Sequence, residues 1–153
     1  MTRAATWSNS DGLVVGYGRN IAERQAAAVS KDAGSVKTAK VQITYESTLG
    51  ASGALIAIPA ASIVKNVYAK ITTTWAGGTS ITFGDGTDTD GWILAASWGT
   101  PSAGGVIQGD GAYAIATGTS ATAPKEYATA TDLYFTLVGT YTAGAADVYV
   151  EYV

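Results

Sequence analysis

Between Gly84 and Gly91 the chain reads G-D-G-T-D-T-D-G, which places Asp85, Asp88 and Asp90 within six residues. Carboxylate oxygens gathered in this way are the donor set of Ca²⁺, a hard cation that takes only oxygen ligands. The D-T-D-G piece partly matches the calcium loop of an EF-hand. With Asp88 and Asp90 in its third and fifth places, the first place falls on Gly86 and the twelfth on Ser97. Both key carboxylates are then missing, and no helical pattern flanks the loop. The other reading is a polar connection between two strands, in which Asp bonds its own backbone and Gly supplies positive φ. The expectation is no bound metal, with Asp85, Asp88 and Asp90 as the candidate ligands to check. Asp110, in Q-G-D-G, reads as a further turn residue.

Other chemistry is excluded more directly. The chain has no His and no Cys. The usual general base, the neutral-pH switch and the commonest metal ligand are therefore absent, as are disulfides and thiolate metal sites. Serines are plentiful, but a Ser-His-Asp triad is impossible. A glycosidase needs only two carboxylates facing each other across a cleft, and no pair here is marked as such. The G-Y-G-R-N piece at 16–20 lacks the Lys, the preceding strand and the long helix of a phosphate loop. No enzymatic activity and no cofactor are expected. Trp75, Trp92 and Trp98 would serve either as an aromatic platform for sugar or as core or subunit-interface packing.

The charge balance excludes two classes of partner. Charged residues make up 14% of the chain and the net charge is −3. That leaves no basic footprint for nucleic acid and no polybasic or amphipathic patch for a membrane surface. No apolar run approaches the ~20 residues that span a bilayer. The first residues lack the apolar core of a secretory leader, so the protein is expected to be made and used in a cytoplasm, or assembled there into something larger.

The elements that would position these residues read as strands. A chain of 153 residues suits one domain, and a domain of that size buries roughly 70% of its unfolded surface without a staple. The 19 glycines exceed the average usage of about 7% and fit many turns. Alternation of apolar and polar residues, the period of a strand, marks Val41–Tyr45, the long candidate Ile63–Trp75 and the returning strand Ser80–Phe83. Ala54–Ile58 is a short apolar strand ended by Pro59, and Trp92–Ala96, Val106–Ile107 and Tyr113–Ala116 are further short candidates. Gly77-Gly78 suggests a hairpin turn. Thr117–Glu126, polar and holding Pro124, reads as a loop. Leu133, Phe135 and Leu137, then Val148, Val150 and Tyr152, suggest a terminal hairpin around Gly139–Ala146, with its last strand inside a sheet. The fold class is all-β: an antiparallel β-sandwich, jelly-roll-like, in preference to a closed barrel. Its core is expected to hold Val41, Ile43, Ile58, Val67, Ile71, Ile81, Phe83, Leu133, Phe135, Leu137, Val148 and Val150.

The sandwich is expected over 39–153. Residues 1–38 differ. Arg3, Arg19 and Arg24 all fall there, and glycines at 12, 16 and 18 break any helix. A disordered tail is one reading. The other is an extended arm that orders against a partner, because disordered segments are depleted in aromatic and β-branched residues. Trp7, Leu13, Val14, Val15 and Tyr17 are then the partner-binding candidates.

From Ala54 to Val153 the chain resembles a β-sandwich domain common among structural proteins of tailed bacteriophages. The matching pieces are I-P-A-A-S-I-V-K-N-V-Y at 58–68, G-G-T-S-I-T-F-G at 77–84 with D-T-D-G-W at 88–92, and T-A-G-A-A-D-V-Y-V-E-Y at 142–152. Ala61 stands where the I-P-x-G-like start has its glycine. The segment T-W-S-N-S-D-G-L-V-V-G-Y-G at 6–18 is similar to the leading segments of such proteins. The resemblance implies a virion component without enzymatic activity, such as a capsid decoration (cement) protein; it is expected on the capsid surface, bound to the major capsid protein and assembled in the host cytoplasm, and the three-fold and quasi-three-fold positions of a capsid suggest a trimer. It transfers no catalytic or metal residue. A tail or head-fibre adaptor and a carbohydrate-binding sandwich remain as alternatives, the latter requiring an exposed row of Trp.

Overall fold

The computed structural model describes residues 5–8, 14–17, 35–46, 52–114 and 124–153. The chain divides into two compact units, Met1–Ser35 and Val36–Val153.

In the first unit, β1 (Ala5–Ser8) and β2 (Val14–Tyr17) pair antiparallel, with Trp7 opposite Val15, Ser8 opposite Val14 and Ala5 opposite Tyr17. Four of the five partner-binding candidates thus fall on a two-stranded ribbon. Leu13 lies outside the described residues.

The second unit is all-β and antiparallel. Its strands are β3 (Lys37–Thr44), β4 (Ser52–Ile58), β5 (Ser62–Gly77), β6 (Ser80–Gly84), β7 (Val106–Gln108), β8 (Lys125–Tyr127), β9 (Thr131–Val138) and β10 (Tyr141–Tyr152). One short helix, α1 (Ala95–Trp98), lies between β6 and β7. The larger sheet runs β3-β10-β5-β7, with β8 also on β5, and the smaller runs β4-β9-β6. A single bridge, Phe83 to Ile93, continues the smaller sheet past β6. Counting strands from β3, with Ile93 as the fifth and β8 set aside, one sheet runs first-eighth-third-sixth and the other second-seventh-fourth-fifth. That is the order of a jelly roll, the eight-stranded double sheet of two Greek keys.

Neither expected hairpin exists as a hairpin. β5 and β6 lie in different sheets, and so do β9 and β10. The β5–β10 ladder ends with Tyr141 opposite Gly77, and the β6–β9 ladder resumes with Val138 opposite Ser80. One long ribbon therefore folds over a corner from the first sheet to the second. Its two strands turn side by side, where the Gly78 N–H donates to the Thr140 carbonyl at 2.7 Å and the Thr79 N–H to that of Val138 at 2.8 Å. Gly77, Gly78 and Gly139 all have positive φ (73°, 62° and 85°). These glycines look like hairpin turns in sequence, yet they mark the corner where paired strands change sheets. The last strand does lie inside a sheet: β10 is flanked by β3 and β5.

Three shorter expectations are also corrected. Residues 92–96 form no strand; Ile93 makes one bridge and Ala95 opens α1. Of the strand expected over Tyr113–Ala116, Tyr113 and Ala114 lie in a turn and the rest lies outside the described residues. Lys125 and Glu126, expected in a loop, belong to β8, because Ser62 and Val64 of β5 offer it an edge that no local pattern reveals.

The core lies between the sheets, where Ile43, Ile58, Val67, Ile71, Ile81, Phe83, Leu133, Phe135, Val148 and Val150 are buried as expected. Val41 and Leu137 are only partly buried and pack against it. In β5 the buried face shifts from Ser62 and Val64 to Val67, Ala69 and Ile71. A bulge at Lys65 causes the shift: Tyr152 pairs with Val64 and Glu151 with Asn66.

Candidate functional site

The acidic loop is tied down rather than open. Asp85 leaves the end of β6 and is 3% exposed. Its Oδ1 accepts the backbone N–H of Thr87 at 2.8 Å and of Asp88 at 3.0 Å, an Asx-type turn. Its Oδ2 accepts from Lys125 Nζ at 2.6 Å and from Tyr127 Oη at 3.0 Å. Tyr127 Oη in turn accepts from Trp92 Nε1 at 3.1 Å. Lys125 Nζ also stands 3.5 Å from the Tyr113 ring centroid, and Tyr113 meets Trp92 edge to face. The loop then folds back over β6. Thr82 Oγ1 donates to the Thr89 carbonyl at 2.9 Å, and a Cβ on Gly84 would come within 1.9 Å of the Asp88 carbonyl oxygen. Only glycine permits that approach.

This geometry sets the charges. Burial opposes ionisation of Asp85, but the hydrogen bonds from Lys125, Asp88, Thr87 and Tyr127 outweigh it and hold the carboxyl below its ordinary range. Burial likewise works against the Lys125 cation, and its bond to Asp85 prevails, so its pKa lies above the usual value. Burial pushes the Tyr127 phenol far up. The cluster is a closed set of structural bonds whose carboxylate has no oxygen to spare for a cation. Asp88 joins it only through its backbone, and the carboxyls of Asp88 and Asp90 make no bond to Asp85. Their carboxyls interact with each other, and the hydrogen bond to Asp88 raises the pKa of Asp90. Among the described residues no three His, Cys, Asp or Glu side chains gather as a metal would require. Asp110 receives the Leu94 N–H at 2.9 Å and the Ser97 hydroxyl, and so anchors both ends of α1's first turn.

The three tryptophans are interior. Trp75, Trp92 and Trp98 are 1%, 0% and 1% exposed. They form no external platform, so the feature that a carbohydrate-binding sandwich requires is not met by them. Asp132 lies in a shallow groove with Ala57, Ile58, Pro59, Ala130 and Thr131.

A row of larger polar side chains crosses the outer face of the larger sheet. Lys40, Tyr149, Tyr68 and Gln108 stand in register on β3, β10, β5 and β7. The Tyr68 and Tyr149 rings stack at 4.9 Å and 11°. Lys40 Nζ lies 5.6 Å from the Tyr149 centroid and bonds Asp147 Oδ2 at 2.8 Å, a bond that raises the lysine pKa. Half-buried aromatic residues with polar tips are the composition of a protein contact. The sequence marks Tyr68 and Tyr149 as outward-facing, but the pairing of distant strands that joins them is not readable from it.

No protein-family model matches the chain, and no curated protein matches its sequence. The chain is similar to chains of solved phage capsids. A chain of the cyanophage Pam1 capsid asymmetric unit superposes with a TM-score of 0.53 at 13% identity, covering 76% of this chain and 83% of that one. A chain of the acidic stable capsid of Helicobacter pylori bacteriophage KHP30 gives a TM-score of 0.47 at 12% identity, over 76% of this chain and 86% of that one.

Proposed function

We propose that the chain is a non-enzymatic structural protein of a tailed-phage virion, of the capsid decoration (cement) type. In this reading it sits on the capsid surface as a trimer, binds the major capsid protein shell and stabilises it. The observation that carries the reading is the jelly-roll likeness to a chain of a phage capsid asymmetric unit, over most of both chains. Two features support it. Asp85, one of the three candidate ligands of the acidic loop, is bonded to Lys125 inside the fold. The N-terminal unit carries Trp7, Val14, Val15 and Tyr17 on a two-stranded ribbon. Two strands alone are at best marginal in water, and adding to a partner sheet would stabilise them. Leu13 belongs to the same partner-binding set.

The test removes residues 2–30 and adds the truncated and full chains to capsids lacking the protein. The sandwich should fold in both, and capsid binding should fall sharply in the truncated form. Full binding without residues 2–30 would remove the arm from the mechanism. A particle reconstruction that finds the chain on tails or head fibres would replace the decoration reading with that of an adaptor.

A further inference from the structure

Three buried hydrogen-bond donors on neighbouring rings of the sandwich have no protein acceptor: Trp75 Nε1, Trp98 Nε1 and Tyr141 Oη. Their side chains come from the end of β5, from α1 and from the start of β10. Each residue is more than nine-tenths buried. The Trp75 ring meets Trp98 edge to face at 5.5 Å and Tyr141 edge to face at 5.1 Å. Burial pushes the Tyr141 phenol up, so its hydroxyl stays neutral. Native interiors leave few donors dry, because an unpaired buried group carries its whole desolvation cost. Three such donors around one ring system are therefore not three separate accidents.

We propose that the Trp75–Trp98–Tyr141 cluster is an internal hydration site, in which ordered water accepts from the two indoles and exchanges a hydrogen bond with the tyrosine hydroxyl. The chemistry selects water over other guests. An anion would need a cation beside it, and the donors here are two neutral indoles and a neutral phenol. An organic guest would need a wide cavity. Here the two rings pack directly on backbone: a Cβ on Gly144 would come within 2.2 Å of the Trp75 ring, and one on Gly78 within 2.4 Å of the Tyr141 ring. Water fits a small polar site and can satisfy two to four partners. It would join α1 to the larger sheet beside the folded corner, where the protein's own side chains leave the join incomplete.

The test uses the full chain with ¹⁵N-labelled tryptophan and reads cross-relaxation from long-lived water to the indole N–H protons. Trp92 is the internal control, since its N–H is already bonded to Tyr127 Oη at 3.1 Å. Cross-peaks at Trp75 and Trp98 with none at Trp92 are expected. Their absence at both overturns the site. Tyr141→Phe keeps the ring and removes only the hydroxyl. About a tenfold rise in its unfolding constant is expected, as for loss of one buried hydrogen bond. An unchanged or smaller constant would overturn the tyrosine's part in it.

Discussion

Lys125 and Asp85 meet at 2.6 Å although 40 residues separate them in the chain. The contact joins β8, a three-residue strand at the rim of the larger sheet, to the loop that leaves β6 in the smaller one. Their side chains are 21% and 4% exposed, so the pair is screened less than a surface ion pair. Removing one partner of such a pair leaves the other charge buried and uncompensated. Asp85→Ala is expected to cost about 3–5 kcal/mol in chemical denaturation, since the carboxylate also holds two backbone N–H groups. Lys125→Met should cost less, and the double variant less than the sum of the two.

The same contact sets a pH dependence. The Asp85 pKa is lowered on folding. Its stabilisation is therefore full above the ordinary carboxylate value of about 4 and is lost as pH falls through the depressed folded value. Lys125 has the opposite sign: its raised pKa gives stabilisation that is full below about 10 and is lost as pH rises through the higher folded value. Asp90, raised by its bond to Asp88, favours the folded state when protonated and partly offsets the acid loss. Melting temperatures between pH 2 and 6 should fall more steeply in the parent than in Asp85→Asn. Equal slopes would count against this assignment.

Calcium should have no effect. With Asp85 turned inward, only Asp88 and Asp90 remain on the loop, and two carboxylates fall short of the oxygen count that Ca²⁺ takes. Melting curves in excess chelator and in millimolar Ca²⁺ should superimpose. A chelator-induced drop of several degrees would restore the loop as a metal site.

Ala61 has a φ of +56°, the left-handed region. It sits in the turn between Pro59 and Ser62, where Ser62 Oγ donates to the Pro59 carbonyl at 2.7 Å. A non-glycine residue costs roughly 1–2 kcal/mol in that region. Glycine loses about 0.5–1 kcal/mol more chain entropy on folding. Ala61→Gly should thus stabilise the protein by about 0.5–1 kcal/mol, read as a higher denaturation midpoint with an unchanged slope. A destabilised variant would mean that the turn does not hold this conformation in solution.

Ala61 also shows what was legible in the sequence. The I-P-x-G-like start marks a position that suits glycine, and the backbone there is left-handed. Period-two alternation finds β3, β5, β9 and β10 and most of their buried residues, because the side-chain period of a strand is a local property. It fails where the cause is not local. Gly77, Gly78 and Gly139 have the positive φ of turn residues, but which strand each neighbour pairs with is decided by residues far along the chain. Lys125 and Tyr127 carry too short a pattern to announce a strand. Asp85 looks like part of an exposed acidic triplet, and only the approach of β8 from 40 residues away shows it to be an interior anchor.

The central place of β10 has a consequence for the order of events in folding. It pairs along β3 on one side and β5 on the other, so the larger sheet is split in two until residues 141–152 have been synthesised. Every growing intermediate shorter than that leaves β3 without its partner and the inward sides of Val67 and Ile71 partly uncovered. Closing the sheet then brings together segments from opposite ends of the domain, the long-range pairing that makes all-β topologies slow to fold. In pulse-labelled hydrogen exchange the amides of β3, β5 and β10 should gain protection together, in one late step.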